Sequence, residues 1–180
     1  FDLYCKVMDE LKSLGVKSIN IYSVNEPMLH PQFLDMLFKA QELDMEVLIS
    51  TNANKIDDFI EKLDNYPQKL KVLNLRYSID TAKKEVYERI REKGNFDNVV
   101  ENIKSLYEYC QANDIKYIGK SNYILSKETI DSTALFQHTF GKYIPEVSYS
   151  HLSATWAEFS DYISANVLFP LVPRTACPLA

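Results

Sequence analysis

Residues 46–79 read EVLISTNANKIDDFIEKLDNYPQKLKVLNLRYSI, and this stretch decides the fold. The runs EVLIS at 46–50 and VLNLRYSI at 72–79 are apolar and bounded by turn residues, so they predict strands. Between them, IDDFIEKL at 56–63 repeats its apolar residues at helical spacing. A strand, a helix and a second strand in this order predict a right-handed βαβ unit, whose two strands are parallel.

The same alternation continues on both sides of this unit. Upstream, a helix that stops at Gly15 precedes a strand at 17–22, and a second helix begins near Pro31. Downstream, the sequence predicts helix from 83 to 111 with a break at Gly94, a strand at 115–119, a helix at 129–140 and a strand at 146–151. Because the chain opens on a helix, we expect an α/β fold that is a partial TIM-like (β/α) barrel with parallel strands and its first strand missing.

Length and composition fit one domain with a sizeable core. The chain has 180 residues, of which 46% are hydrophobic and 25% charged. We expect residues 1–151 to form a partial (β/α)6 barrel core and residues 152–180 to form a separate C-terminal segment. Three cysteines, Cys5, Cys110 and Cys177, are odd in number and far apart, which favours reduced thiols over a disulfide framework.

Charge and glycine content exclude several classes of function. The formal net charge is -5 and no segment is densely basic, so neither nucleic acid nor a membrane surface is an expected partner. No apolar run approaches the roughly 20 residues of a membrane span, which favours a cytoplasmic protein. With four glycines in all, the chain cannot form a Walker A loop or a G-x-G-x-x-G nucleotide fingerprint.

Hydrogen-bonding residues follow every predicted strand. They are Ser23 to Glu26, Thr51 and Asn52, Ser78 to Asp80, Ser121 and Asn122, and Ser150 and His151. In parallel barrels the reactive groups lie where strands end. Taken singly, each of these residues is better explained as the start of a loop, but five such ends in register favour a ligand cleft.

Four fragments in this order resemble the radical S-adenosylmethionine (SAM) superfamily. They are Asn25-Glu26-Pro27, Thr51-Asn52-Ala53, Ser78-Ile79-Asp80, and the spaced set Tyr87, Ile90, Arg91, Gly94, Phe96, Asp97 and Val99. The resemblance covers about residues 3–110. It implies an oxidoreductase-type enzyme that cleaves SAM reductively to a 5′-deoxyadenosyl radical, which abstracts hydrogen from a peptide or other organic substrate. An electron donor such as flavodoxin or ferredoxin is also implied.

When the family's functional residues are matched to positions of this sequence, the resemblance implies a set of SAM-binding residues and no catalytic side chain. The family's Gly-Gly-Glu corresponds to Val24, Asn25 and Glu26, and the carboxylate would bind the methionine ammonium by a charge-assisted hydrogen bond. The loss of both glycines departs from the family pattern, and Glu26 is otherwise a surface acid. The expected cofactor-binding residues are Asn25, Glu26, Asn52, Ser78, Arg91 and Asn122.

Besides Glu26, two of these residues have a specific expected contact. Ser78 resembles the hydroxyl that the family places against the SAM ribose or carboxylate. Arg91 resembles the guanidinium that pairs with the same carboxylate, since its planar fork can bind both oxygens. Alternatively, Arg91 is a solvated charge on its helix. Asn52 and Asn122 would lie beside the ligand.

The family's Cys-x3-Cys-x2-Cys loop, which binds a 4Fe–4S cluster, is absent from the sequence. The resemblance places those ligands upstream of Phe1, so we expect the chain as given to be an incomplete and inactive piece of a longer enzyme. Arg174-x-x-Cys177-Pro178 resembles the start of a SPASM or twitch extension. Cys177 is therefore either a ligand of an auxiliary iron–sulfur cluster or a free thiol.

Two other functions stay open at this point. The chain is alternatively a non-catalytic barrel-like binding or scaffold domain that lost the cluster motif. A weaker alternative is a metal-independent barrel enzyme that uses Glu26 and His151. The residues upstream of Phe1 separate the first alternative from the enzyme.

Overall fold

The computed structural model describes residues 1–22, 25–91 and 94–151. Within them, five strands form one sheet: β1 Ser18–Ile21, β2 Glu46–Thr51, β3 Val72–Tyr77, β4 Lys116–Leu125 and β5 Glu146–His151. The strands lie side by side in sequence order, and every neighbouring pair is parallel. This arrangement confirms the predicted α/β fold, a partial TIM-like barrel with parallel strands.

Six helices connect and flank the strands in the described ranges. They are α1 Asp2–Ser13, α2 Phe33–Glu42, α3 Ile56–Asp64, α4 Lys84–Ile90, α5 Phe96–Ala112 and α6 Thr133–Phe140. Two short 3-10 turns, Pro27–Leu29 and Ile130–Ser132, precede α2 and α6. The predicted break near Gly94 separates α4 from α5. None of the helices in this part of the chain has the length and apolarity that crossing a membrane would need.

The helices pack against one face of the sheet. Right-handed crossovers between sequential parallel strands put their helices on the same side. On β3, Leu73, Leu75 and Tyr77 point to that side and are fully buried. Their partners on the helices and neighbouring strands include Phe38, Ile49, Ile56, Phe59, Val99, Ile103, Leu106 and Phe140. This apolar layer is the core of the described fold.

The opposite face of the sheet is mostly polar, and we call it the inner face. It carries the alternate residues of each strand: Asn20, Leu48, Ser50, Asn74, Arg76, Ser78, Ile118, Lys120, Asn122, Ile124, Glu146, Ser148 and Ser150. Each of these residues stays partly or fully exposed, unlike Leu75 and Tyr77 between them. In a barrel this face points to the interior, because the helices cover the outside.

Strand β4 is longer than predicted. The sequence indicates a strand at 115–119 that ends near Asn122, but β4 continues to Leu125, and Asn122 lies inside it. The extra residues pair with β5 up to Leu125↔His151. Gly119 and the polar run after it look like a strand end in the sequence. In the fold, a Cβ on Gly119 would lie 2.3 Å from the Tyr143 carbonyl oxygen, so this glycine permits a close approach.

We expect Leu75→Ala to lower the free energy of unfolding by about 2–5 kcal/mol, because it leaves a cavity in the layer between sheet and helices. Leu75 is 0% exposed, whereas Leu3 on α1 is 75% exposed. Leu3→Ala is therefore the matched control and should change stability by less than about 0.5 kcal/mol. Urea unfolding followed by circular dichroism measures both. Equal losses would show that β3 does not lie at the centre of the core.

Candidate ligand site at the carboxyl edge of the sheet

Glu26 is fixed where β1 and β2 end. It precedes the Pro27–Leu29 turn, and its side chain accepts a hydrogen bond from the Met28 backbone N–H at 3.4 Å. Its second oxygen accepts from the Asn52 backbone N–H at 2.7 Å. Pro27 and Met28 are buried, which anchors the turn. The carboxylate therefore joins the loops that follow two neighbouring strands.

The loop after β2 is stabilised by several hydrogen bonds. The Asn52 side chain accepts a hydrogen bond from the Asn54 backbone N–H at 2.9 Å. Ala53 has a φ of 64°, a left-handed conformation that is uncommon outside glycine. Asn102 on α5 donates to the Ala53 carbonyl at 2.9 Å, and the Ala53 N–H donates to Thr51 Oγ1 at 3.0 Å. These bonds order the loop backbone that contacts Glu26.

Ser78 and Asn122 lie on the same level of the inner face. The Ser78 backbone N–H donates to the Thr51 carbonyl at 2.9 Å, which continues the pairing of β2 and β3 by one residue. The preceding pair Tyr77↔Ser121 puts Ser78 beside Asn122. Ser78 Oγ lies 3.4 Å from Ser50 Oγ, and Asn122 Oδ1 accepts from Ser148 Oγ at 3.4 Å. Both side chains remain partly exposed.

Arg91 has a protein partner at the same edge. It follows α4, and its guanidinium forms an ion pair with Asp80, two residues beyond Ser78. The Asp80 side chain is mostly buried, whereas that of Arg91 is 34% exposed. Sequence reasoning named Asp80 in a motif but did not include it in the site. One guanidinium nitrogen is engaged in this pair, so Arg91 is neither a free solvated charge nor an unpaired ligand group.

A buried network ties the loops after β3 and β4 together. Thr81 Oγ1 lies 2.9 Å from Ser132 Oγ, which lies 2.7 Å from the Tyr123 hydroxyl. Tyr123 also donates to the Thr129 carbonyl at 2.6 Å. Burial raises the pKa of Tyr123, so it stays a neutral donor. The network connects these two loops on the helix side of the site.

Of the predicted site residues, Asn25 and Glu26 also line an open groove of about 600 Å³ beside β1. A groove of this size is within the range of small-molecule sites, roughly 300–1,000 Å³. Tyr22, Leu29 and His30 line it as well. Cys177 and the side chain of His151 lie outside the described residues. The structure thus brings Glu26 into contact with Asn52, puts Ser78 beside Asn122, and links Arg91 to the same edge through Asp80.

The described residues do not form a metal centre. In this part of the chain, no three or more His, Cys, Asp or Glu side chains are arranged to hold a metal ion. Cys5 lies on α1, and Cys110 is buried on α5. Burial raises the pKa of Cys110 to about 12, so its sulfur stays protonated near neutral pH. Among the described residues, Cys110 belongs to no group of three or more such side chains, so it forms no part of a metal centre there.

Two cations on the inner face were not predicted as site residues. Arg76 on β3 and Lys120 on β4 are register partners. The Arg76 guanidinium donates to the Tyr22 hydroxyl at 3.2 Å and lies 5.7 Å from the centre of its ring. Lys120 Nζ lies 3.2 Å from the Glu146 carboxylate. The sequence feature that could have identified Arg76 is the two-residue alternation of β3, which puts Arg76 on the same face as Ser78.

Comparisons with known proteins bear on the family and the fold of the chain. The model of the Radical SAM superfamily matches residues 5–132. Among solved structures, the chain is similar to a structure of TYW1 with a lysine-pyruvate adduct bound, with a TM-score of 0.58 and 13% identity. That match covers 86% of this chain and 52% of the other, so the chain spans about half the length of TYW1. No curated protein matches the chain.

We expect Asp80→Asn to lower the free energy of unfolding by about 1–3 kcal/mol, because it removes a charged hydrogen bond from a mostly buried site. Asp131→Asn is the matched control, since its ion pair with Lys83 is largely exposed. Thermal unfolding of both variants should show a lower midpoint for Asp80→Asn alone. Equal shifts would mean that the Asp80–Arg91 pair is no more than a surface contact.

Proposed function

This chain belongs to the radical SAM superfamily, and we propose that it forms the SAM-binding core of an enzyme that acts on a peptide or other organic substrate. The observation that carries the proposal is the Glu26 carboxylate, which the Asn52 N–H holds at the carboxyl edge of the sheet. A fixed carboxylate at this position suits the ammonium of an amino-acid ligand. It is the charge that the methionine part of SAM requires.

The donors and acceptors along this edge fit the other parts of SAM. Ser78 offers a hydroxyl for the ribose or the carboxylate, and Asn25, Asn52 and Asn122 offer side-chain amides. Arg91 would bind the carboxylate with the guanidinium nitrogens that Asp80 leaves free. When bound and reduced by one electron, SAM would supply the 5′-deoxyadenosyl radical that abstracts hydrogen from the substrate. The chain's own residues bind and orient it, and the ordered loop after β2 keeps Glu26 in place.

The described residues do not fit the iron–sulfur cluster that the family implies, because they contain no suitable cluster of ligands. In our proposal, the ligands of the 4Fe–4S cluster lie outside these residues. Cys177 would bind an auxiliary cluster. A flavodoxin- or ferredoxin-like electron donor in the cytoplasm completes the proposed system.

We expect Glu26→Gln to weaken SAM binding by roughly 10- to 150-fold, since a charge-assisted hydrogen bond contributes about 1.5–3 kcal/mol. Glutamine keeps the shape and one acceptor for the Asn52 N–H, so the loop should remain folded. Anaerobic calorimetric titration of SAM into the cluster-loaded full-length protein measures the loss.

Glu108→Gln, an exposed change on α5, is the matched control and should bind SAM like the parent protein. Unchanged affinity in Glu26→Gln would remove Glu26 from the site. If the parent protein itself binds no SAM, the non-catalytic binding domain becomes the better explanation.

Ser78→Ala should weaken SAM binding less, by about 2- to 12-fold, because it removes one neutral hydrogen bond of about 0.5–1.5 kcal/mol. The same titration measures it, and Ser13→Ala on the exposed end of α1 serves as its control. A loss larger than that of Glu26→Gln would mean that the hydroxyl, rather than the carboxylate, is the main anchor.

A further inference from the structure

One row of the inner face contains two neighbouring cations, Arg76 and Lys120, and we call it the cation row. Its members are register partners on four strands: Ser50 on β2, Arg76 on β3, Lys120 on β4 and Glu146 on β5. Neighbouring parallel strands lie about 4.8 Å apart, so the side chains of Arg76 and Lys120 start side by side. Two like charges in this arrangement repel each other.

The row has one positive charge in excess. Glu146 forms an ion pair with Lys120, but Arg76 has no carboxylate partner among the described residues. Its polar contact is the neutral Tyr22 hydroxyl, whose ring also lies beside the guanidinium. Of five guanidinium N–H donors, this bond uses one. The remaining donors suit an anion with two or more oxygens, because the guanidinium fork matches a carboxylate or phosphate.

The row lies deeper than the proposed SAM residues. Arg76 precedes Ser78 by two residues on one face, and Lys120 precedes Asn122 in the same way. Two residues of strand correspond to about 6.6 Å, so the cations lie one layer below the carboxyl edge. Both side chains stay accessible from the inner face, since Arg76 is partly exposed and Lys120 is 30% exposed. A ligand bound at the carboxyl edge would not occupy this layer, so a second molecule could bind there.

We propose that Arg76 and Lys120 bind an anionic group, a carboxylate or a phosphate, of the organic substrate. This inference rests on the proposed function, because it takes the inner face as the substrate side of a SAM-dependent enzyme. Tyr22 and Glu146 hold the two cations from either side. Ser50, whose hydroxyl is on the same row, adds a neutral hydrogen-bonding group beside Arg76.

The test uses small anions, without SAM, and nuclear magnetic resonance of the isotopically labelled protein. Isobutyrate represents a carboxylate, inorganic phosphate a phosphate, and isobutyramide is the uncharged isostere of isobutyrate. We expect at least one anion to shift the signals of Arg76, Lys120 and their neighbours on β3 and β4, and isobutyramide to shift none of them. The anion that binds more tightly identifies the charged group of the substrate.

Arg76→Gln should weaken the binding of that anion by about tenfold or more, since it removes a charged hydrogen-bonding partner. Lys120→Gln is the second variant and should also weaken it. Arg89→Gln is the matched control, because Arg89 lies on the exposed surface of α4 in an ion pair with Glu128. The Arg89→Gln variant should bind the anion as tightly as the parent protein does. Circular dichroism establishes that each variant is folded.

Several results would overturn the inference: no anion binding, equal binding of isobutyramide, or an equal loss in Arg89→Gln. Arg76→Gln should also leave SAM affinity within about twofold, and a larger loss would assign Arg76 to the SAM site instead. The proposed function fails independently, through the Glu26→Gln titration. Unchanged SAM affinity there, with intact anion binding, would reject the SAM site and keep an anion site on the inner face.

Discussion

The two-residue alternation along β3 is the constraint on which the rest of the structure depends. Leu73, Leu75 and Tyr77 are buried under the helices, while Arg76 and Ser78 lie on the other face. Because all crossovers have the same hand, a single apolar face per strand suffices for the core. A register shift by one residue would move the Arg76 guanidinium into that apolar layer. Burying an unpaired charge costs several kcal/mol, so the pattern fixes both the core and the polar inner face.

The order of strands and helices was predictable because each apolar segment has a clear period. The positions of Glu26, Asn52 and Ser78 followed from the same reasoning, since turn residues mark the ends of β1, β2 and β3. The end of β4 was not predictable in this way, because Gly119 and the polar residues after it resemble a turn. The strand continues because β4 pairs with β3 up to Tyr77↔Ser121 and with β5 up to Leu125↔His151. Local sequence does not contain either contact.

The ion pair between Arg91 and Asp80 shows a second limit of sequence reasoning. Arg91 can be interpreted as a ligand group or as a solvated helix charge, and its spacing from Ser78 does not distinguish the two. The fold adds Asp80, a mostly buried carboxylate that needs a cation. Part of the role of Arg91 is therefore to neutralise Asp80 and to join the loop after β3 to the end of α4. In the proposed site, a ligand carboxylate would share the guanidinium with Asp80, so Arg91 would contribute less affinity than an unpaired arginine.

Charges of opposite sign are separated along the sheet, and this separation can give the proposed site its selectivity. Glu26 is negative and lies at the ends of β1 and β2, whereas the excess positive charge of the cation row lies on β3, one layer deeper. At an effective dielectric constant near 20, two unit charges about 4 Å apart interact by about 4 kcal/mol. A cationic group placed on Arg76, or an anionic group on Glu26, would therefore be repelled rather than bound. The ammonium of a cofactor and an anionic group of a substrate would each have one favourable position, which lets two molecules share the inner face without exchanging places.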